Sequence, residues 1–104
     1  MSLEIQKAFN NERNVWDISL AGDVDIVSSV ELKDNVNVLL DKDEKGLLIN
    51  CEHLSYIDST GLGVLISLLK RVKKSGNEIE LTNAQPNISK LLKITGLDKI
   101  FVMK

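Results

Sequence analysis

A chain of 104 residues with 43% hydrophobic side chains and a formal net charge of -2 has room for one domain, residues 1–104, with a core of its own. No basic block is present, which argues against a nucleic-acid partner, and the apolar runs are too short for a membrane span or a secretory leader. Cys51 and His53 are each the sole residue of their type, so no internal disulfide and no metal-ligand set is expected, in keeping with a reducing cytoplasm.

Taken in chain order, the alternation of Leu3 and Ile5, and then of Trp16, Ile18 and Leu20, predicts two half-buried strands. The polar stretch NNERN between them predicts a turn, and hence an antiparallel hairpin. GDVD at Gly22–Asp25 reads as a loop. Ser28 and Glu31 have the spacing of a capping box that opens a helix, with an apolar stripe through Val30, Leu32, Val36, Leu39 and Leu40. After the charged turn DKDEKG, the run LLINC predicts a central strand covered on both faces.

A helix follows the octet YIDSTGLG and runs to about Lys74, with Gly76 as its C-terminal cap. EIEL alternates as a further strand. Pro86 suits the first turn of a short third helix, which Gly96 ends, and IFVM predicts a last strand. Strands alternating with helices after a hairpin imply an α/β domain with a mixed sheet and helices packed on it. The strand at Leu47, the helix after it and the strand at Ile79 form a right-handed βαβ unit. The chain has no internal repeat and no low-complexity segment.

The octet carries the chemistry. Glycine within a helix costs about 1 kcal/mol against alanine, so Gly61 and Gly63 in one helical turn need a reason. A bare first turn lets another protein's backbone approach, and close packing of the helix on the sheet is the other explanation, for Gly63 in particular. Ser59 beside Asp58 resembles a nucleophile with a carboxylate, but a serine nucleophile needs a positioned base. His53 is the one histidine, it reads as a surface loop residue, and the nucleophile-elbow spacing is absent. GLG lacks both the P-loop lysine and the third glycine of a dinucleotide fingerprint. No enzymatic activity and no cofactor is expected. Ser59 or Thr60 can cap the helix. Alternatively Ser59, just before a helix, is an exposed site for a kinase.

Along the same helix Leu62, Leu65, Ile66, Leu69 and Val72 form the stripe expected to face the sheet. Val64 and Leu68 lie off that stripe, in line with Thr60 and rimmed by Lys70 and Arg71. They form either a docking patch or a face covered by another helix.

The stretch from YIDSTGLGVLISLLKRVKK to NEIELTN resembles the phosphorylation-site region of the anti-sigma factor antagonists, the bacterial members of the STAS domain family. LAGDVD is similar to that family's strand and acidic loop, and LLKITGLDKIF to its third helix and last strand. The resemblance implies a STAS-like fold and a non-enzymatic, cytoplasmic partner switch that acts on transcription indirectly. It would bind, as a monomer when free, an anti-sigma factor that is also a serine kinase, and so release the sigma factor. Ser59 occupies the position that the kinase phosphorylates and a PP2C-type phosphatase restores. Asp23 and Asp25 match the acidic loop beside that position, and Asp58, Thr60, Gly61 and Gly63 match the rest of the motif. Ile26, Val27, Ser28 and Ser29 depart from the family's usual Asn or Ala in that stretch. The alternative within the superfamily is a scaffold subunit of a stressosome or lipid-transport complex in which the serine is not phosphorylated.

Overall fold

The computed structural model describes residues 3–104; Met1 and Ser2, included in the expected domain, lie outside the described residues. The elements are β1 (Leu3–Asn10), β2 (Val15–Val24), α1 (Ser28–Lys42), β3 (Gly46–Ile57), α2 (Ser59–Lys74), β4 (Ile79–Thr82), α3 (Pro86–Ile94), a 3-10 turn at Leu97–Lys99 and β5 (Val102–Met103). The five strands form one sheet in sequence order. β1 pairs antiparallel with β2, and β2, β3, β4 and β5 run parallel. This is the expected mixed α/β domain, with the hairpin at one edge.

The sheet has one apolar face. Ile18, Ile49 and Leu81 occupy one register row across β2, β3 and β4 and are all buried, as are Leu20, Leu47, Cys51 and Ile79. Their neighbours Asp17, Ser19, Leu48, Asn50, Glu80 and Thr82 are only half-buried. β3 is therefore covered on one face rather than two. LLINC is apolar through its first three residues, but Leu48 is the only large apolar side chain of that run left on the open face.

Two strands run further than the sequence predicts. β2 continues through Gly22 and Asp23 to Val24, where a loop is expected, and β3 continues from Cys51 to Ile57. Each extends because it pairs with the other: Ala21 opposes His53, Gly22 opposes Leu54, and Val24 opposes Ile57, with register irregularities at Ser19–Ala21 and Gly22–Asp23. β4 pairs with β3 only from Leu47 to Asn50. Beyond that point amide side chains take over the exposed edge of β3. Asn83 donates to Asn50 Oδ1 at 3.2 Å, Gln85 to the Glu52 carbonyl at 2.8 Å and Asn87 to the Ser55 carbonyl at 2.9 Å. Two carbonyls that a strand would satisfy are thus satisfied from the β4–α3 connection and the first turn of α3. At the other end of the chain β5 is shorter than IFVM implies, because Ile100 and Phe101 close the 3-10 turn instead.

The buried side of α2 comprises Gly61, Leu62, Leu65, Leu68, Leu69 and Val72. Leu68, expected off the sheet-facing stripe, is 1% exposed and part of the core. At about 100° per residue each step of four residues drifts by about 40°. Two such steps from Thr60 carry Leu68 by about 80°, into the buried arc beside Leu65 and Val72. Ile66, expected inside, sits half-buried on the flank. In α1 the stripe is Leu32, Val36, Leu39 and Leu40, and Val30 is 59% exposed. Arg71, expected to rim a patch, ties α2 to the end of α1 through Asn37, Asp41 and Glu44, each at 2.8 Å.

Leu68→Ala should therefore cost about 2–5 kcal/mol of folding stability. Urea unfolding should show a lower midpoint with an unchanged slope.

Candidate functional site: the β3–α2 junction

Parallel pairing of β2 and β3 brings both of their C-terminal ends to one edge of the sheet. The Asp58 amide donates to the Val24 carbonyl at 3.1 Å, so the octet and the acidic loop are adjacent. At this edge α2 starts with Asp58 as its N-cap. Asp58 Oδ1 accepts from the Gly61 amide at 2.9 Å and from the Thr60 hydroxyl. The Thr60 hydroxyl and the Gly61 amide, in that order, hold the Asp58 carboxyl below the usual carboxylate range, and the nearby charge of Asp25 opposes them. Capping was expected of Ser59 or Thr60. Asp58 does it instead, because its carboxylate reaches the third residue on while Thr60 serves as its donor.

Asp25 plays the same part for α1. Its Oδ1 accepts from the amides of Val27 at 3.0 Å and Ser28 at 2.9 Å, and the Ser28 hydroxyl lies at 3.0 Å. In return the Asp25 amide donates to Ser28 Oγ at 2.9 Å. This is a reciprocal pair of the capping-box kind, built on Asp25 and Ser28 rather than on Ser28 and Glu31. Ser28 Oγ also donates to the Asp23 carbonyl at 2.7 Å, which fixes the end of β2. Hydrogen bonds from Ser28, amide before hydroxyl, hold the Asp25 carboxyl below its ordinary value. Both aspartates are therefore ionised at neutral pH. Asp23 stands opposite Tyr56 in the sheet and is half-buried.

With the cap supplied by its neighbour, Ser59 is the first residue of the helix, exposed, and its hydroxyl is not part of the cap. The two glycines do different work, in the reverse of the expected order. A Cβ on Gly61 would lie 2.6 Å from Ile57 Cγ1 and 2.7 Å from Val24 Cγ1, so Gly61 is what lets α2 start against β2 and β3. A Cβ on Gly63 would meet nothing within 4 Å. Gly63 faces a groove of about 610 Å³ between α1 and α2, which Ile26, Val30, Thr60 and Val64 also line. Val64 packs partly against the core with its outer side in this groove. Ile26 and Val27 are 68% and 77% exposed. The apolar residues that line the groove at the start of α2 are thus Ile26, Val30 and Val64, not Val64 with Leu68. The unusual apolar pair after the acidic loop was the available signal in the sequence.

His53 does not join this site. It is an exposed strand residue paired with Ala21, four positions before Ile57. At about 3.3 Å per residue that is roughly 13 Å along β3, too far to activate Ser59. Cys51 is buried, and burial pushes its thiol up to about 11, so it is inert.

The exposed serine, the two capping carboxylates and the apolar groove thus meet at one edge of the sheet. Residues 7–104 match the STAS domain, and the chain belongs to that family. The anti-sigma-B factor antagonist of Bacillus subtilis (strain 168) is 37% identical over 90 residues, which is 86% of this chain and 81% of the relative. That of Staphylococcus aureus (strain NCTC 8325 / PS 47) is 27% identical over 97 residues, 93% and 88% of the two chains. Among solved structures, the anti-sigma factor antagonist SpoIIAA in its unphosphorylated form gives a TM-score of 0.77 at 19% identity, covering 97% of this chain and 87% of that one. The phosphorylated form of the Bacillus protein gives 0.74 at 20% identity, covering 97% and 91%. At those identities the likeness is one of fold.

Two results should follow. Gly61→Ala should destabilise the domain by about 1–3 kcal/mol through overpacking, whereas Gly63→Ala should match or exceed wild-type stability by up to about 1 kcal/mol; thermal melts of the pair would separate them. Because the folded-state values of Asp25 and Asp58 lie below the unfolded ones, their contribution is complete above the ordinary carboxylate range. It fades as pH falls through the folded values. Asp58→Asn should therefore flatten the acid limb of a Tm-against-pH curve below about pH 4.

Proposed function

We propose that this protein is an anti-sigma factor antagonist whose binding to an anti-sigma factor is switched off by phosphorylation of Ser59. The partner is an anti-sigma factor with serine kinase activity, and a PP2C-type phosphatase resets the switch. The observation that carries the reading is that Asp58, not Ser59, caps α2, which leaves the Ser59 hydroxyl exposed and unspent at the helix start. The 37% identity to an anti-sigma-B factor antagonist supports the same role. The switch needs no activity of the chain's own, and it operates on a free domain in the cytoplasm.

The chemistry of the switch follows from what already occupies the helix start. Phosphorylation adds about 1.5 to 2 negative charges. The Gly61 amide is already engaged by Asp58, and a phosphate on Ser59 would add its charge beside the carboxylates of Asp58 and Asp25. The fold is retained, because neither cap is displaced. The modified surface, however, becomes more acidic and bulkier where a partner would have to exclude water. Asp23, Asp25, Asp58 and Thr60 then act chiefly by shaping the ends of β2 and β3, while Gly63, Val64, Ile26 and Val30 supply the contact surface.

The test is to incubate the purified protein with its anti-sigma factor and ATP and map the phosphate by mass spectrometry. Ser59→Asp should lose at least about tenfold in affinity for the anti-sigma factor. Ser59→Ala should bind as wild type and resist the kinase. Val30→Asp should weaken binding comparably while leaving the melting temperature within about 2 °C of wild type, since surface substitutions are close to neutral. Equal affinity for wild type, Ser59→Asp and Ser59→Ala would remove Ser59 from the interface.

A further inference from the structure

Charge is unevenly distributed along this chain. Residues 59–104 carry eight Lys and Arg against three Asp and Glu, whereas residues 1–58 carry five against twelve. Part of the basic excess gathers around a second groove, of about 860 Å³, at the end of α2 remote from Ser59. Its apolar floor is Leu69 with Ile100, Phe101 and Val102 from the chain end, and Ile100 is 43% exposed. Lys70, Lys73 and Lys74 of α2 stand along one side and Lys99 of the 3-10 turn completes the rim. Glu78 is the one acidic lining residue, and Lys73 pairs with it at 3.1 Å. Among the described residues Lys70, Lys74 and Lys99 enter no ion pair.

Lysines in the last turn of a helix offset its dipole, which accounts for Lys73 and Lys74. It does not account for Lys99, which comes from a different element, or for an exposed isoleucine between the cations. We propose that this groove docks an acidic amphipathic helix of a partner protein, whose apolar stripe covers Leu69, Ile100 and Val102 and whose carboxylates meet Lys70, Lys74 and Lys99. The groove is open and its polar groups are flexible rim lysines, whereas a small-molecule site needs polar groups fixed within an enclosing wall. Of its apolar residues Leu69 and Phe101 are buried and Ile100 is the one large exposed side chain, whereas a bilayer surface is entered by a whole apolar helix face. Phe101 is buried, which leaves no ring for a nucleobase to stack on. A helix laid in an apolar groove and flanked by complementary charge is an established mode of recognition. Leu69, where the groove begins on α2, lies about 15 Å along the helix from Ser59, and Ser59 does not line it. This second surface does not depend on the role of Ser59.

The test uses the full chain, labelled with nitrogen-15, and a synthetic helix with a leucine stripe flanked by glutamates. A version with lysine in place of every glutamate is the control. Amide shifts should be confined to Leu69–Lys74 and Lys99–Val102. Affinity should fall at least about tenfold in Lys70→Glu/Lys99→Glu and should weaken as salt rises. Ser59→Asp should bind the probe as wild type does, which separates this surface from the Ser59 site. Should the charge reversal melt early, Lys99→Ala, a milder change on an exposed side chain, should still weaken binding measurably. No binding by the glutamate helix at millimolar concentration would overturn the proposal. So would equal binding of the lysine helix, shifts centred elsewhere, or preferential binding of phosphatidylserine vesicles, single-stranded DNA or a second copy of the chain.

Discussion

The structure depends on a close approach at one point, where α2 begins against the ends of β2 and β3. Gly61 is in van der Waals range of Val24 and Ile57 with no room for a methyl group. That contact sets how α2 leaves the sheet edge. Asp58 then closes the helix end with its carboxylate, and its amide is tied to β2 through the Val24 carbonyl. Each interaction is worth little in water, but together they leave the turn from β3 into α2 few alternatives. The exposed position of Ser59 goes with this geometry, since the Asp58 carboxylate and not the Ser59 hydroxyl accepts from the Gly61 amide.

The same construction explains why three aspartates gather where repulsion between them is unfavourable. Asp25 and Asp58 each satisfy helix-start amides, and the dipoles of α1 and α2 favour negative charge there. Asp23 contributes its carbonyl to the Ser28 hydroxyl rather than a capping carboxylate. The acidic character of this edge is thus a consequence of two helices starting side by side. A charge added at Ser59 would stand beside the carboxylates of Asp25 and Asp58, which is the physical basis of the switch proposed above.

Opposite ends of α2 face different chemistry. Its first turn lies among carboxylates and exposed aliphatic side chains, and its last turns among lysines, of which Lys70 and Lys74 are unpaired within the described residues, above an apolar floor. One helix therefore contributes to two grooves, the first along Thr60–Ser67 and the second along Leu69–Lys74. The polar sheet face between β2, β3 and β4 is left open, and the hydrophobic core is confined to the single layer under the helices.

The order of elements was legible from local signals: alternation in the hairpin, glycines after α2 and α3, proline at the start of α3, and an apolar stripe in each helix. The octet and its relation to the acidic loop could also be read, because parallel strands joined by a helix bring their ends to the same edge. What the sequence could not decide was pairing and cover. Glu52, His53, Ser55 and Tyr56 have no apolar pattern of their own, yet they form strand because β2 lies beside them and amide side chains from Asn83, Gln85 and Asn87 bind the other edge. Leu68 is apolar whether it faces a partner or the core; the packed domain leaves it no open surface. Gly61 and Gly63 are identical as letters, and the difference between them is the presence of Val24 and Ile57 beside only one. Periodicity and caps are properties of neighbouring residues in the chain, so the sequence by itself determined them. Which carboxylate caps, which glycine packs and which leucine is buried depend on distances between segments brought together by folding, and those only the tertiary structure decided.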